Sequence, residues 1–509
     1  MFTVLSILSA VGLVLAFGFW PLGFVALAPF FKALISARGP WQRLWLGIVF
    51  GVSHGCFMGH WLIPTLTGHF DKSIGFAILF FFLAVCVPTA LLYGIFALAI
   101  SFFRYQGFRF YLLTLPALWT LADLAKEWLP FFIPWGLVGY AALPFQTFAQ
   151  AADLGGVYGL TFLMVAVNAL IAFLFTGSGL AGEGREPSRK QGHPATAVLS
   201  ILFLILVPCI YGLARIAAFE SLAGSGESSF SAVAVQGNFT PKDRWSGNGF
   251  HQRLKRYLDL SGKGELNAAR LIVWPETVLN APRKVDHRLL EGIRARLNAR
   301  DLLVTGGLRQ ADSGHGVHNT AYLIPGMGKV KWYDKRRLLP YGESPALKPI
   351  LGRFAWEPAR FEPGTRPAVI PTHLGPMGFS ICFESLYPEA VRQSVAGGAG
   401  LLINLSNDAW FGTGAMPRLH LAVSAMRAIE NRRFLVRAAS GGISAVISPT
   451  GDLLAASALG EPGAVTHNVA ILKHASPYTR WGNWVPLGSV LLLMVQLAGA
   501  TFLPVSCRY

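Results

Sequence analysis

Apolar residues run almost unbroken through the first 218 positions, in windows near 1–18, 21–37, 44–66, 73–103, 110–126, 155–176 and 196–218, and one further run occupies 483–503. A helix needs roughly 17–25 such residues to cross a hydrocarbon core. The pattern therefore predicts about eight transmembrane helices, seven before a long gap and one after it. Across the gap, residues 219–482, the texture changes. Short β-branched runs, SAVAVQGNF, ARLIVWPET, DLLVTGGL, NTAYLI, KVKWYDK, MGFSICFES and GLLINLSND, alternate in part with the amphipathic patterns HRLLEGIRARLNAR and LHLAVSAMRAIENRR. Period-two runs read as strands and 3.6-residue periods as helices, so the gap is expected to hold an α/β domain. At about 260 residues it is large enough for its own core.

The expected organisation is thus a helix bundle over 1–218, an extramembrane domain over 219–482, and a last helix with a tail over 483–509. The opening run, MFTVLSILSAVGLVLAFGFW, has no basic n-region and no small-residue cleavage site before polar sequence, so it reads as a retained helix and not a signal peptide. Lys32, Arg38 and Arg43 follow the second run, Arg104 and Arg109 the fourth, and Arg185, Arg189 and Lys190 the sixth, while the alternate loops offer Lys72 and Lys126. Positive charge marks the cytoplasmic side, which carries 219–482 to the outside face and returns Arg508 to the cytoplasm.

Composition agrees with a chain partly in lipid, with 53% hydrophobic and 14% charged residues and a mean hydropathy of +0.47. A net charge of +17 would point to nucleic acid in a soluble protein, but beside a membrane it suits anionic lipid headgroups. No nucleic-acid module, phosphate loop, dinucleotide glycine pattern or metal-ligand spacing is visible, so no nucleic acid, cofactor or metal is expected. His54, His60 and His69 cluster at the third run, where helical packing or interfacial placement accounts for them at least as well as ligation.

Cysteine usage raises the chemical question. Cys56, Cys86 and Cys209 lie in predicted membrane helices and Cys507 in the tail, so Cys382 is the one thiol of the 219–482 segment and has no disulfide partner there. An unpaired thiol in an oxidising compartment is buried or used. Use requires a base and something cationic or N–H bearing to hold an oxyanion. Glu276 closes LIVWPET, Lys335 closes KVKWYDK and Cys382 closes FSIC. Alone, each is explained by a solvated strand end or a core thiol. Together, three such residues each ending an apolar strand suggest one site.

These residues, with WPE, YDKRRLLPYGE and ICFE around them, resemble the Glu-Lys-Cys triad of the nitrilase superfamily. PWGLVGYA (134–141), GVYGLTFL (156–163), VQGN (235–238), NDAWFG (407–412) and MRAIENRR (426–433) extend the resemblance over nearly the whole chain, to the apolipoprotein N-acyltransferase family. The resemblance implies an α/β plus membrane α-helical fold, with a nitrilase-like αββα sandwich inserted between helices seven and eight. It implies a bacterial inner-membrane enzyme with its catalytic domain on the periplasmic side. It implies ping-pong acyl transfer from a phospholipid, phosphatidylethanolamine at its sn-1 chain, through a Cys382 thioester to the free α-amine of a diacylglyceryl-cysteine apolipoprotein. A monomer suffices, without cofactor or metal.

By the same resemblance Glu276 is the general base, and Lys335 and the Phe383 backbone N–H hold the oxyanion. Glu343 orients Lys335 or positions the amine, Glu384 belongs to the Cys-aromatic-Glu run, and Trp245 in PKDRWSG is a loop residue near the site. As bare sequence, Glu343 is a turn carboxylate, Glu384 fits a structural salt bridge equally well, and an exposed loop Trp marks an interface. The segment SPALKPILGRFAWEPARFEPG carries Ile350, Leu351, Phe354, Trp356 and Phe361 without period, and reads as a greasy lid or as irregular core packing. Phe383 stands where the family often has Tyr, Leu419 where Gln is usual, and AASGG (438–442) replaces an Asn-containing run. The rival readings are a membrane-tethered amidase or nitrilase that passes its thioester to water, and a lipid-binding scaffold or transporter with a degenerate domain. The intact triad and the scarcity of charge in most helices argue against the second.

Overall fold

The computed structural model describes residues 1–103, 107–176, 194–223, 229–239, 249–262, 268–279, 287–344 and 361–502. Two compact units emerge, Met1–Arg215 with Trp481–Tyr509, and Ile216–Arg480.

In the first unit every apolar window is helical, as Phe2–Leu15, Ala28–Ile35, Pro40–Gly59 with Leu62–Gly68, Ile74–Phe102, Leu115–Trp128, Ala152–Thr176, Pro194–Ala223 and Trp484–Phe502. Among the described residues three helices are long and apolar enough to cross a membrane, Ile74–Phe102, Ala152–Thr176 and Pro194–Phe219. The pair Pro40–Gly59 and Leu62–Gly68, bent by 46°, is a broken span or a re-entrant loop and gives a fourth crossing only when taken as one span. The second window is divided because Pro21 lies in a 3₁₀ turn, Trp20–Phe24, and Pro29 opens a separate helix. Leu199, Phe203, Ile210, Leu213 and Val495 face outward, as lipid-facing side chains would.

Gly47, Gly51 and Gly55 recur every fourth residue on one helix and let Val87–Ala99 approach closely; a Cβ on Gly51 would lie 2.3 Å from the Thr89 carbonyl oxygen. The two membrane motifs also meet, since Gly139 in PWGLVGYA donates its N–H to Thr161 Oγ1 at 3.0 Å in GVYGLTFL.

Charge lies inside this apolar unit. Lys126, expected in a loop, is buried in Leu115–Trp128, where its ammonium pairs with Asp123 at 2.7 Å and donates to Tyr93 at 3.0 Å. The sequence window ends at this position because the helix is apolar only up to the turn that carries the pair. Asp123 also accepts from Val138 N at 3.2 Å, so the ion pair anchors the loop that follows. Glu127 accepts from Tyr158 at 2.8 Å, and Asp153 from Tyr211 at 2.7 Å. His54 stacks on Phe50, ring centroids 5.9 Å apart, and packs edge-on to Tyr93.

The second unit is a sandwich of two six-stranded sheets. The first contains β1 (Ser229–Gln236), β2 (Arg270–Val273), β3 (Leu302–Gln310), β4 (Val317–Pro325), β5 (Lys331–Asp334) and β12 (Gly463–Ala470), in the order β12-β1-β2-β3-β4-β5. The second contains β6 (Val369–Thr372), β7 (Gly375–Ile381), β8 (Leu401–Asn407), β9 (Leu435–Ser440), β10 (Ala445–Ile447) and β11 (Leu453–Ala456), in the order β11-β10-β9-β8-β7-β6. Parallel strands occupy the centres, β1-β2-β3 and β7-β8-β9, and antiparallel strands the flanks. β8 and β9 are buried along their whole length, as central parallel strands covered on both faces should be.

β1 and β2 pack on β9 and β4 on β7, so the sheets face each other. Helices Gly249–Leu260 and His287–Arg294 lie on the first sheet, and Pro388–Ala396 and Met416–Asn431 on the second, giving the expected αββα layering. All seven strand runs of the sequence are strands here. β6 and β9 to β12 are additions.

Candidate active site

Three parallel or edge strands deliver the candidate residues at their C-terminal ends. Cys382 follows β7 directly and opens a 3₁₀ turn, Cys382–Leu386. Its φ is +52°, in the left-handed region that costs a non-glycine residue on the order of 1–3 kcal/mol, so the turn presents the thiol under backbone strain. Glu276 lies three residues beyond β2, and its N–H donates to the Ser406 carbonyl of β8 at 3.4 Å, tying one sheet to the other. Gly306 makes room for this loop; a Cβ there would lie 2.5 Å from Glu276 Cα. Lys335 follows β5, whose end is fixed by Asp334 accepting from Thr320 at 2.7 Å and from Arg309 at 2.8 Å.

All three side chains are buried. Lys335 Nζ sits 2.9 Å from Glu343 and 3.5 Å from Glu276 Oε1, between two carboxylates. Burial alone would lower its pKa, but Glu343, Glu276 and Cys382 together hold it well above the ordinary lysine range, so the ammonium is permanent. Burial pushes the Cys382 thiol up, Glu276 adds to this, and Lys335 only partly offsets them. The surroundings therefore favour the thiol form of Cys382. Lys335 pulls the thiol's pKa down without outweighing burial and Glu276.

Glu343 lies in the turn after β5, where it accepts from Leu339 N at 2.8 Å and from Lys335 Nζ at 2.9 Å. Glu384 Oε1 accepts from the Arg336 and Arg337 amides at 2.7 and 3.0 Å and from the Tyr333 hydroxyl at 2.8 Å, while Oε2 accepts from Ile381 N at 2.8 Å. Through these amides it braces the turn of Cys382 against the segment of Lys335. Phe383 is buried beside Phe411 and His420, ring centroids 6.2 and 5.9 Å away. Trp245 and residues 345–360, which include most of the expected lid, lie outside the described residues.

The sequence reading missed several residues. Asn319, at the head of NTAYLI, donates through Nδ2 to Glu276 Oε1 at 2.7 Å and to Glu343 Oε1 at 2.9 Å, and its carbonyl accepts from Lys335 N at 2.8 Å. A polar residue opening an apolar strand was the available signal. Ser406, Asp408 and His420 form a buried network next to Cys382.

Such an arrangement, a strained thiol, a buried carboxylate and a fixed ammonium, suits acyl transfer through a thioester. Residues 232–472 match the carbon-nitrogen hydrolase family, and residues 9–170 match the apolipoprotein N-acyltransferase N-terminal domain. An apolipoprotein N-acyltransferase of Gloeobacter violaceus is 30% identical, over 95% of this chain and 90% of its own. This chain belongs to the apolipoprotein N-acyltransferase family. Family members of the same name from Geobacter metallireducens and Pseudomonas syringae are 29% and 27% identical, each over 94% of this chain and over 91% and 92% of theirs. Among solved structures, Saccharomyces cerevisiae Nit3 of the nitrilase superfamily is 18% identical, over 48% of this chain and 90% of that one, with a TM-score of 0.38.

Proposed function

We propose that this chain is an apolipoprotein N-acyltransferase working by ping-pong transfer through Cys382. The observation that carries the proposal is that the family match spans the apolar unit as well as the sandwich. A tethered amidase acting on soluble amides has no need of that unit, and the comparisons do not favour it.

In the first half-reaction Glu276 takes the Cys382 proton as sulfur attacks the ester carbonyl of a phospholipid. Burial and Glu276 raise the thiol's pKa, so base and nucleophile act in concert in this reading. Lys335, with the Phe383 N–H, receives the developing oxyanion. The ester C–O bond breaks, the departing alkoxide takes the proton from Glu276, and a lysophospholipid leaves an S-acyl enzyme. In the second half the α-amine of a diacylglyceryl-cysteine attacks the thioester, Glu276 accepts an amine proton, the C–S bond breaks, and Cys382 recovers its proton. Glu343 and Asn319 keep Lys335 and Glu276 in register through both halves.

The same proposal gives the chain about eight spans, with 219–482 between the seventh and eighth on the periplasmic face of a bacterial inner membrane. Phosphatidylethanolamine is the proposed donor and a monomer the working unit.

The test is intact mass spectrometry of purified protein incubated with phosphatidylethanolamine before any acceptor. A hydroxylamine-labile gain of one acyl chain on Cys382, discharged by a diacylated lipopeptide and absent in Cys382→Ala, is expected. Transfer persisting in Cys382→Ala, or ammonia release from small amides without any acyl adduct, would overturn the proposal.

A further inference from the structure

Phe383 carries the proposed oxyanion donor, and its N–H shares one peptide group with the Cys382 carbonyl. In a trans peptide, as this one is, the two point in opposite directions, so whatever fixes the carbonyl also aims the N–H. That carbonyl faces a buried polar wall which the Glu276–Lys335–Cys382 chemistry does not use. Ser385 Oγ donates to it at 3.1 Å, and His420 Nε2 lies 3.1 Å from the same hydroxyl and 3.3 Å from the carbonyl oxygen. His420 Nδ1 is 3.0 Å from Asp408 Oδ1, and Asp408 is held in turn by Arg437 Nη2 at 2.6 Å and by the Ser406 hydroxyl at 2.6 Å. Ser385, His420 and Asp408 are all buried.

We propose that Ser385 is a positioning residue for the oxyanion donor, holding the Cys382–Phe383 peptide from its carbonyl side so that the Phe383 N–H faces the reacting carbonyl. A carboxylate only accepts, so the proton between His420 and Asp408 belongs to Nδ1. Burial, and then Arg437, lower His420 from its ordinary 6.5, which favours the neutral ring with a bare Nε2. Ser385 is then the member of the wall with a proton to give the carbonyl, and the imidazole pins its hydroxyl in place. The turn needs holding on both sides, because Cys382 sits at a strained φ of +52°. Glu384 holds Ile381 N on one side, and Ser385 holds the Cys382 carbonyl on the other.

Turning this peptide over would break the Ser385 bond and set a carbonyl oxygen where the oxyanion has to form. As negative charge develops against the N–H, the peptide polarises and its oxygen becomes the better acceptor, so the Ser385 bond strengthens at that moment. An interaction that grows toward the transition state raises kcat and leaves KM alone. Ser385 itself makes and breaks no covalent bond. The inference rests on the reading in which Cys382 takes the acyl chain and the Phe383 N–H meets the oxyanion.

The experiment uses the full-length enzyme in detergent micelles, as wild type, Ser385→Ala and Ser385→Thr, with two readouts. These are the rate of acyl-Cys382 formation from phosphatidylethanolamine by rapid-quench intact mass, and the rate of Cys382 alkylation by iodoacetamide. Alkylation is a displacement at a saturated carbon and develops no oxyanion, so it reports on the sulfur and not on the N–H. Removing an oxyanion donor costs about 10²–10³ in kcat, and one left in place but poorly aimed should cost about 10- to 100-fold. Ser385→Ala is expected to slow thioester formation by that smaller factor, with the phospholipid KM and the alkylation rate unchanged. Ser385→Thr keeps the hydroxyl and should recover most of the rate, even where its extra methyl lowers Tm. Thioester formation at the wild-type rate in Ser385→Ala overturns the inference. So does alkylation slowed in step with acylation, which means that the sulfur itself has moved, and so does a threonine variant as slow as the alanine one, which marks a merely structural role. Wild type that takes no acyl chain sinks the nucleophile assignment and this inference with it, whereas a wild type that acylates beside an equally fast Ser385→Ala sinks the inference alone.

Discussion

Glu384 Oε1 accepts a 2.7 Å hydrogen bond from the N–H of Arg336, which ties the turn bearing Cys382 to the segment bearing Lys335. Oε2 of the same carboxylate holds Ile381 N at 2.8 Å, so both oxygens are committed. Glu384→Gln would set an amide donor against a backbone donor. The expected cost is about 1–3 kcal/mol of stability, seen as a lower Tm. Acyl-transfer kcat should fall about 10- to 100-fold as the nucleophile and lysine lose register, with the phospholipid KM little changed. Wild-type kcat and Tm in this variant would show the bridge to be dispensable.

The pH dependence of stability follows from the buried groups. Burial, with Glu276, raises the Cys382 thiol from its ordinary 9.0, and Lys335 stays well above 10.5 because its carboxylate neighbours outweigh burial. Raised groups contribute stability that is full below their ordinary values and is lost as pH climbs past about 9. His420 is lowered from 6.5 by burial and then by Arg437, so the unfolded chain binds a proton that the fold refuses, and stability falls on acidification through this range. Burial would raise Asp408, but Arg437 and His420 hold it well below 3.8, and its contribution is lost at lower pH still. Glu384, raised from 4.5 by burial, softens this acid limb. Thermal unfolding in micelles should therefore peak between pH 6.5 and 9.0. A Tm still rising at pH 10.5 would rule out a buried neutral thiol.

The strand ends were legible because Glu276, Lys335 and Cys382 each stop a β-branched run, and a charged or reactive residue at such a stop breaks the local pattern. β12 was not. Its pattern is largely exposed and its partner β1 lies more than two hundred residues earlier, so nothing local in GAVTHNVA announces the pairing. His420 was hidden for a different reason. Helix Met416–Asn431 is buried on nearly every side, with Arg427 and Glu430 paired at 3.0 Å inside, so its charged positions mimic a solvated face. In the apolar unit each apolar window is helical, but hydropathy missed the short helix Gln146–Ala149 and could not see that Lys126 answers Asp123 one turn away.

That ion pair makes its own prediction. Lys126→Met leaves the Asp123 carboxylate buried without its cation, and a broken buried pair costs about 3–5 kcal/mol. The expected outcome is lost folding yield and a lower Tm in micelles. Asp123→Asn combined with Lys126→Met should recover much of the loss, since an amide oxygen still accepts from Val138 N and no charge remains unpaired. Equal damage in single and double variants would mean that the charges themselves are needed.

Asn319 reports on how the two carboxylates are kept apart in function. One Nδ2 donates to Glu276 at 2.7 Å and to Glu343 at 2.9 Å, so a neutral group bridges two anions that share a single ammonium. Asn319→Asp is nearly isosteric but places a third carboxylate around Lys335, with no donor between the other two. Like charges this close drive one carboxyl to bind a proton. If the proton settles on Glu276, the base is lost. The prediction is a fall in kcat of at least about 100-fold near neutral pH, since general-base catalysis alone is worth about 10²–10⁴, with Cys382 still reactive to iodoacetamide because the thiol's own seat is untouched. Asn319→Leu removes the donor without adding charge, so the two anions still repel but no proton is demanded, and it should cost less activity than Asn319→Asp. The opposite order, with the leucine variant the weaker enzyme, would show that Asn319 acts by hydrogen bonding alone and that repulsion among the carboxylates is not what sets the base.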